Sequence, residues 1–361
     1  MVHLINNYSQ LYRLNTLFLS HKVGIVGGTM TDKILSLHQV RTHIRQALKK
    51  QISFDASCIT TVDPSTLLST GSLTDTVIET IHDALLKNEY LTNDLNSHQQ
   101  LAESTRSKAV SLQHSQKPNA SIRLHTILIP AGFGDELRVA LISKSTCWGF
   151  ISLFRKLSSP YFTKEELKLL SRLASFFAED LQSKQAQLVK TKDNDFMPGL
   201  LILNKDLQLI YSTGEGEKWL ALMREWEGLS ESQLPRSFQT LSIQLQKENT
   251  DHATLITSNL FGGIMQVRAE QLHHLKQDNT IAFHIEKASI ENNQFYIQSH
   301  YQLSNRELDV ILCIKKGLST KLIADNLFIS TYTVQDHLKS IFHKVDVHSR
   351  NELLSKIDQL L

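Results

Sequence analysis

From Ile34 to Ile52 apolar positions recur at helical spacing, and Ser57-Cys-Ile-Thr-Thr-Val62 then reads as a strand that stops at Asp63-Pro64. A second helical stretch runs from Asp75 through Glu89-Tyr90. The polar segment after it, to about Asn119, is dense in Ser, Gln and Asn and predicts loop with short helix. Two β-rich runs, Glu136 to Ile142 and Cys147 to Phe154, flank polar Ser143-Lys-Ser-Thr146 and predict adjacent antiparallel strands. Thr163-Lys-Glu-Glu166 is a capping-box pattern, and Leu167, Leu170, Leu173, Ala174, Phe177 and Leu181 continue it as a long helix. The chain turns polar and charged from Gln182 to Asp195, which marks a domain boundary.

A second α/β pattern follows. Pro198-Gly-Leu-Leu-Ile-Leu203 and Leu207-Gln-Leu-Ile-Tyr211 read as two strands around a short turn, with a helix through Trp219 and Met223 behind them. Ile264 to Ala269 and Thr280 to Glu286 are further strands, and a helical or irregular connector leads to Tyr301. No internal repeat is visible. The last sixty residues hold four helices. Ser304-Asn-Arg-Glu307 is a capping box that opens the first, whose basic Lys315-Lys316 precede a stop at Gly317. Ser319 opens a second from Thr320 to Asn326, and Ser330 caps a third whose inward face is Val334, Leu338, Ile341 and Val345. Ser349-Arg-Asn-Glu352 opens a fourth with Leu353, Leu354, Ile357, Leu360 and Leu361, an apolar stripe wider than one small core requires.

Two helices thus meet at a short turn. The outward face of the third helix, Thr331, Thr333, Gln335, Asp336, Lys339, Ser340 and His343, offers short or polar groups to base edges and phosphates in a major groove. The amino termini at Ser319 and Ser330 are uncharged anion sites, and Lys321 adds a cation.

Composition narrows the class. At 361 residues, 41% hydrophobic and 20% charged, the chain predicts two or three globular domains. No apolar run approaches a membrane span, and the first 30 residues lack the ordered parts of a secretory leader, so a cytoplasmic protein is expected. Met30, just before the first charged helix, competes with Met1 as a translation start. Cys58, Cys147 and Cys313 are far apart and odd in number, which fits neither a disulfide framework nor a zinc site; Cys58 and Cys147 lie in strands as core residues. His82-Asp83, Asp251-His252 and His273-His274 lack further ligands at metal spacing, and His82-Asp83 is expected on a solvated helix face. Gly132-Phe-Gly134 and Gly262-Gly263 lack a nucleotide fingerprint. No metal, cofactor or catalytic group is therefore expected, and the chain is read as a non-enzyme. Overall charge is +2, and from Tyr301 onward six lysines and two arginines meet five aspartates and two glutamates, a net of +1. Few phosphate ion pairs and a shallow salt dependence follow.

The C-terminal residues resemble the LuxR-type DNA-binding domain, nearly without gaps from Leu303 to Leu354. Ser304, Arg306, Glu307, Asp309 and Val310 match its opening; Gly317, Ser319, Lys321, Ile323, Ala324, Leu327, Ile329, Ser330, Thr333, Val334, His337, Ile341, Lys344, Val347 and Arg350 continue the match. Two positions depart from the pattern. Leu322 stands where an acidic residue is usual, and Gln335-Asp336 where a basic and a rarely acidic residue are common. The resemblance implies a helix-turn-helix over 319–338 and a transcriptional regulator of double-stranded promoter or operator DNA. Its contacts are Ser319, Lys321, Ser330, Thr331, Thr333, Gln335, Asp336, Lys339 and His343, and its fourth helix, through Leu353, Leu354, Ile357 and Leu360, is the contact of a homodimer. RNA polymerase and an unknown small-molecule effector are further partners such a regulator implies.

Upstream, Val62-Asp-Pro-Ser-Thr-Leu67, Asn88-Glu-Tyr90, Pro130 to Arg138, Trp148-Gly-Phe150 and Phe162-Thr163 resemble a GAF-like sensor, and 198–222, with Trp219-Leu220, is similar to a PAS-like domain. Glu136 and Arg138 are placed either in the sensor cleft or, by strand alternation, in solvent. The expected architecture is multidomain α+β: an extension over 1–30, a GAF-like α/β sensor over 31–185, a linker at 186–195, a small PAS-like α/β domain over 196–290, and an all-α four-helix LuxR-type domain over 296–361. The rival reading is a protein-interaction module that binds no DNA.

Overall fold

A computed structural model describes residues 36–115, 117–188, 197–247, 250–258, 264–274, 277–288 and 294–358. Met30, Gly262-Gly263, Leu360, Leu361 and most of the expected linker lie outside them.

The chain opens with helix α1 (Leu37–Lys49), started by a Ser36–Gln39 capping box and packed through Val40, Ile44 and Leu48. Strands β1 (Ala56–Val62) and β2 (Ser69–Thr74) follow. The stretch read as one helix from Asp75 is two, α2 (Thr76–Glu79) and α3 (His82–Leu91), and the polar segment after them holds α4 (His98–Ala102) and the two-residue β3 (Val110–Ser111). Strands β4 (Phe133–Ser143) and β5 (Thr146–Lys156) pair antiparallel, as the polar interruption between them predicted. Their turn is made by Lys144 and Ser145 at φ 50° and 61°, the doubly left-handed geometry that matches strand twist in a two-residue hairpin. Helix α5 (Lys164–Leu188) closes this part behind the predicted Thr163–Glu166 capping box.

The second part contains β6 (Gly199–Leu203), β7 (Leu209–Ser212), α6 (Gly214–Glu227), α7 (Arg236–Gln244), β8 (His252–Ser258), β9 (Ile264–His274) and β10 (Gln277–Lys287). Its sheet runs β7-β6-β10-β9-β8, and the first runs β2-β1-β5-β4-β3. Counted from the first strand of each, both orders are 2-1-5-4-3, a structural repeat that no sequence period announces. Two antiparallel α+β units thus precede a helical block, α8 (Gln294–Tyr301), α9 (Asn305–Lys315), α10 (Thr320–Leu327), α11 (Thr331–Val345) and α12 (Arg350–Asp358).

The units are packed together. Leu68, from the β1–β2 loop, sits 6% exposed in the core of the second sheet beside Phe238 and Phe283. Asp63 Oδ2 accepts from the Ile256 amide at 2.9 Å, and the buried Arg236 donates to Ser72 Oγ at 3.0 Å and to Glu79. Ile256, Ile264 and Ala288 of the second unit share one apolar cluster with Tyr296, Ile297 and the helices beyond, so the expected connector is a packed helix.

Glu136 and Arg138 lie neither in solvent nor in an open cleft. Both are buried, as is Arg123, which bonds Glu136 at 2.8 Å, while Arg138 bonds Glu136 and Glu89 at 2.7 Å each. Strand β4 is covered on both faces, so alternation has no solvent side to select. His82 is another departure, 5% exposed rather than on a solvated face, because α3 packs it beside Cys58, 4.0 Å from its sulfur. Its neighbour Asp83 does face solvent and pairs with Lys87. Cys147 is in the core and Cys58 is half-buried. Among the described residues no cluster of His, Cys, Asp and Glu could hold a metal, and no helix is long and apolar enough to cross a membrane.

Candidate nucleic-acid interface

Three N-caps set the geometry of the helical block. Ser304 Oγ accepts from the Glu307 amide and Glu307 returns to the Ser304 amide, the reciprocal box expected from sequence. Ser319 Oγ accepts from Leu322 N, and Ser330 Oγ from Thr333 N. Helix α9 ends through Gly317 at φ 74°, with Gly317 N donating to Ile314 O and Leu318 N to Cys313 O. The turn between α10 and α11 is made by Phe328, left-handed at φ 56° although not glycine, with its amide on Ala324 O. Ile323 and Ala324 of α10 and Val334, Ile341 and Val345 of α11 are buried, which fixes which face of α11 looks outward.

That face exposes Thr331, Gln335, Asp336, Lys339 and His343. Thr333 is half-buried and its hydroxyl lies 2.8 Å from that of Ser330, so it completes the cap as much as it faces out. Lys339 stands 3.5 Å from Asp336 on the same helix, so the cation and the acid partly cancel. Lys321 is exposed, as are Ser319 and Ser330 at the two amino termini. Ser340, grouped with the outward face by sequence, turns inward and donates to Glu307 Oε1 at 2.5 Å.

Glu307 is more than a cap. Lys344 Nζ donates to its Oε2 at 2.6 Å and the Ser304 amide does so at 2.6 Å, so one carboxylate from α9 holds both Ser340 and Lys344 of α11. Burial acts to raise its pKa, but the hydrogen bonds from Lys344, Ser304 and Ser340 prevail and hold it at about 2. Arg350 is a second tie that local pattern did not reveal. It donates to Leu318 O at 3.0 Å and to Thr320 Oγ1 at 2.8 Å, anchoring the start of α12 to the start of α10. The sequence signal for Glu307 was present in Ser340 and Lys344 at i and i+4 on α11; no spacing could have paired Arg350 with residues thirty positions earlier. Sequence reasoning also passed over Tyr332 and Phe328, 70% and 95% exposed beside the amino terminus of α11.

Two of the four residues expected to form an apolar dimer contact on α12 are committed to this chain's own core. Leu353 and Ile357 are fully buried in this chain's own core, and Leu354 is half-buried against it. Helices α9 and α11 both pack on α12, whose described apolar positions Leu353, Leu354 and Ile357 belong to the same core. Leu360 lies outside the described residues.

Residues 301–357 match the family model of bacterial regulatory proteins, luxR family, so the helical block is a domain of that family. Over 54 residues the chain is 43% identical to the monoamine regulon transcriptional regulator of Klebsiella aerogenes, covering 15% of this chain and 24% of that protein. It is 48% identical over 48 residues to a nitrate/nitrite response regulator protein homolog of Haemophilus influenzae, covering 13% and 23% respectively. The chain thus spans about a quarter of the length of these relatives. A crystal structure of SdiA from Escherichia coli aligns over 97% of this chain and 98% of that one, at 11% identity and a TM-score of 0.34.

Proposed function

We propose that the protein is a sequence-specific, double-stranded DNA-binding transcriptional regulator, acting as a dimer, whose DNA affinity is set by the units upstream. The observation that carries the reading is the luxR-family block over 301–357, folded with α11 capped at Ser330 and its polar face open to solvent. In the groove Gln335, Asp336, Lys339 and His343 face base edges, Asp336 accepting from a cytosine amino group. Thr331 and the amino termini at Ser319 and Ser330 meet phosphates, with Lys321 adding the cation.

The division at 31–185, 186–195, 196–290 and 296–361 belongs to the same proposal. The first five-stranded sheet is read as a GAF-like sensor and the second as PAS-like; their shared antiparallel order and flanking helices support this. The protein works in the cytoplasm, without catalytic activity, in contact with RNA polymerase at its promoter. With Leu353 and Ile357 committed to the core, the α12 dimer contact would rest on Leu354, Leu360 and the polar residues between them. The interaction-module reading would rest on the exposed Phe328 and Tyr332 beside the amino terminus of α11; the family match over 301–357 favours DNA instead.

Selection of the full-length protein from a randomised duplex pool tests this. One enriched, roughly two-fold-symmetric site is expected, weakened about tenfold by Lys339→Ala or Thr333→Ala. Retention of no DNA by the folded protein would transfer the case to the interaction module.

A further inference from the structure

A cavity of about 450 Å³ opens between the β6–β7 edge, the end of α6 and the start of α7. Its wall is mixed: Leu203, Leu207, Leu209, Leu220, Leu229 and Leu234 supply an aliphatic side, and polar residues, among them Gln208, Gln233 and Gln239, supply the rest. Two guanidinium groups face the same space. Arg236 is saturated, donating to Ser72, Gln239 and the Glu79 carboxylate. Arg224 is not. Its Nε donates to Gln233 O at 2.8 Å, and among the described residues no carboxylate lies within ion-pair distance of its remaining nitrogens. The other acid on the wall, Asp206, is exposed and sits on the β6–β7 turn, where Asn204 holds its amide.

A leucine-lined side facing a guanidinium with no carboxylate partner is a recognition pattern of defined chemistry. Leucines reward an alkyl chain, and a planar guanidinium with its two terminal nitrogens open rewards a carboxylate, which it can hold in a fork. We propose that this cavity binds a small aliphatic carboxylate, with its head on Arg224 and its chain along Leu203, Leu220 and Leu234. Glu79 gives the site its consequence. It comes from α2 of the first unit and reaches Arg236 across the junction, so a carboxylate held on Arg224 in the cavity that Arg236 and Glu79 also line adds a second anion that competes with Glu79 for the neighbouring cation. Occupancy therefore loosens a bond between the two upstream units. This consequence, unlike the binding itself, rests on the proposed control of DNA affinity by those units.

The test is calorimetric titration of the full-length protein with sodium octanoate, with 1-octanol and sodium sulfate as the chain without the head and an anion without the chain. Saturable binding of one octanoate per chain is expected, at least tenfold weaker for octanol and for sulfate. Arg224→Gln should weaken octanoate about tenfold. Leu209→Trp, at a position 44% exposed on the edge strand, should fill the mouth and abolish binding while the far-ultraviolet circular dichroism stays that of the parent. Absence of saturable binding, equal affinity in Arg224→Gln, or octanol as tight as octanoate would each overturn the site. DNA affinity measured alongside keeps the two readings apart. Octanoate that binds yet leaves DNA affinity unchanged upholds the cavity and refutes its control of the helices, and calorimetry decides the site even if no DNA is bound.

Discussion

Replacing Glu307 by Gln keeps the side chain's shape and one acceptor for the Ser304 amide but removes the charge that holds Lys344. The carboxylate is 5% exposed, and its pKa is about 2 against an ordinary 4.5. At 1.36 kcal/mol per unit that displacement is worth about 3 kcal/mol, and because Lys344 is a third exposed and partly screened, the expected loss is about 2 kcal/mol. The sign follows from the depressed value. The stabilisation is present above pH 4.5, the unfolded value, and is lost as pH falls from there through about 2. The three tryptophans, Trp148, Trp219 and Trp226, are all upstream, so fluorescence would not see this block. Amide hydrogen exchange across 305–345 does. Glu307→Gln should lower local protection there by about 2 kcal/mol at pH 7, roughly thirtyfold in the opening equilibrium, with the deficit shrinking below pH 4. DNA affinity should fall too, since Ser340 and Lys344 orient the reading helix. Equal protection in the two proteins at pH 7, or a deficit that persists unchanged at pH 3, would refute the hub.

Arg350→Ala removes the bonds to Leu318 and Thr320 and should destabilise the helical block by about 1 to 2 kcal/mol, seen as faster exchange in 319–327. Asp336→Asn releases Lys339 and removes an acid from the face proposed for DNA, so affinity for random duplex, measured by fluorescence anisotropy, should rise severalfold while discrimination between sites falls. Gly149→Ala would place a Cβ 2.3 Å from the Thr60 carbonyl oxygen, at the end of the β1–β5 register where Gly149 stands opposite Thr61; a drop of more than about 2 kcal/mol in denaturant melts is expected. Glu227 is buried, and burial pushes its pKa up to about 7 despite Arg41 and the Arg236 amide. Its folded value lies above the unfolded one, so the protein should lose stability as pH rises from about 4.5 through 7, and Glu227→Gln should flatten that slope and be the more stable form at pH 8.

The helical block was legible because its signals are local. Each of Ser304, Ser319 and Ser330 sits at the offset its cap requires, Gly317 at the left-handed stop, and Val334, Ile341 and Val345 on one helical face. The β4–β5 hairpin was legible for the same reason, two apolar runs with four polar residues between. Strand β2, Ser-Thr-Gly-Ser-Leu-Thr, carries no apolar run and was not anticipated. Pairing with β1 makes it a strand, and an added Cβ at Gly71 would meet the Arg41 guanidinium at 2.8 Å. Helix α7 and strand β8 were missed likewise, their identity set by partners far along the chain. The buried charges are the extreme case. Glu136 looks like a solvent residue until Arg123, thirteen positions earlier, and Glu89, across Arg138, are brought to it by the fold. Leu353 and Ile357 of α12 are taken by this chain's own core, a choice the sequence left open because the width of an apolar face says how much is buried and not by whom.

The upstream units are joined to the helical block by a few specific bonds as well as by a shared apolar cluster. Ile256 of β8 donates its amide to Asp63, in the loop after β1, and its carbonyl accepts from the Tyr296 hydroxyl of α8 at 3.2 Å. A single peptide segment is thus held from the first unit on one side and holds the connector helix on the other. Asp63 is itself fixed, its other oxygen accepting from the amide and hydroxyl of Ser65. Helix α8 then shares its apolar cluster with Val310, Ile311 and Ile341, so a displacement of Tyr296 is felt in the same core that supports the reading helix. Close-packed cores pass on displacement because they have few alternative packings. On the proposed control of DNA affinity by the upstream units, loosening of Arg236 from Glu79, at the far side of the same junction, would bear on the α11 face through Leu68, Asp63 and Ile256 in turn.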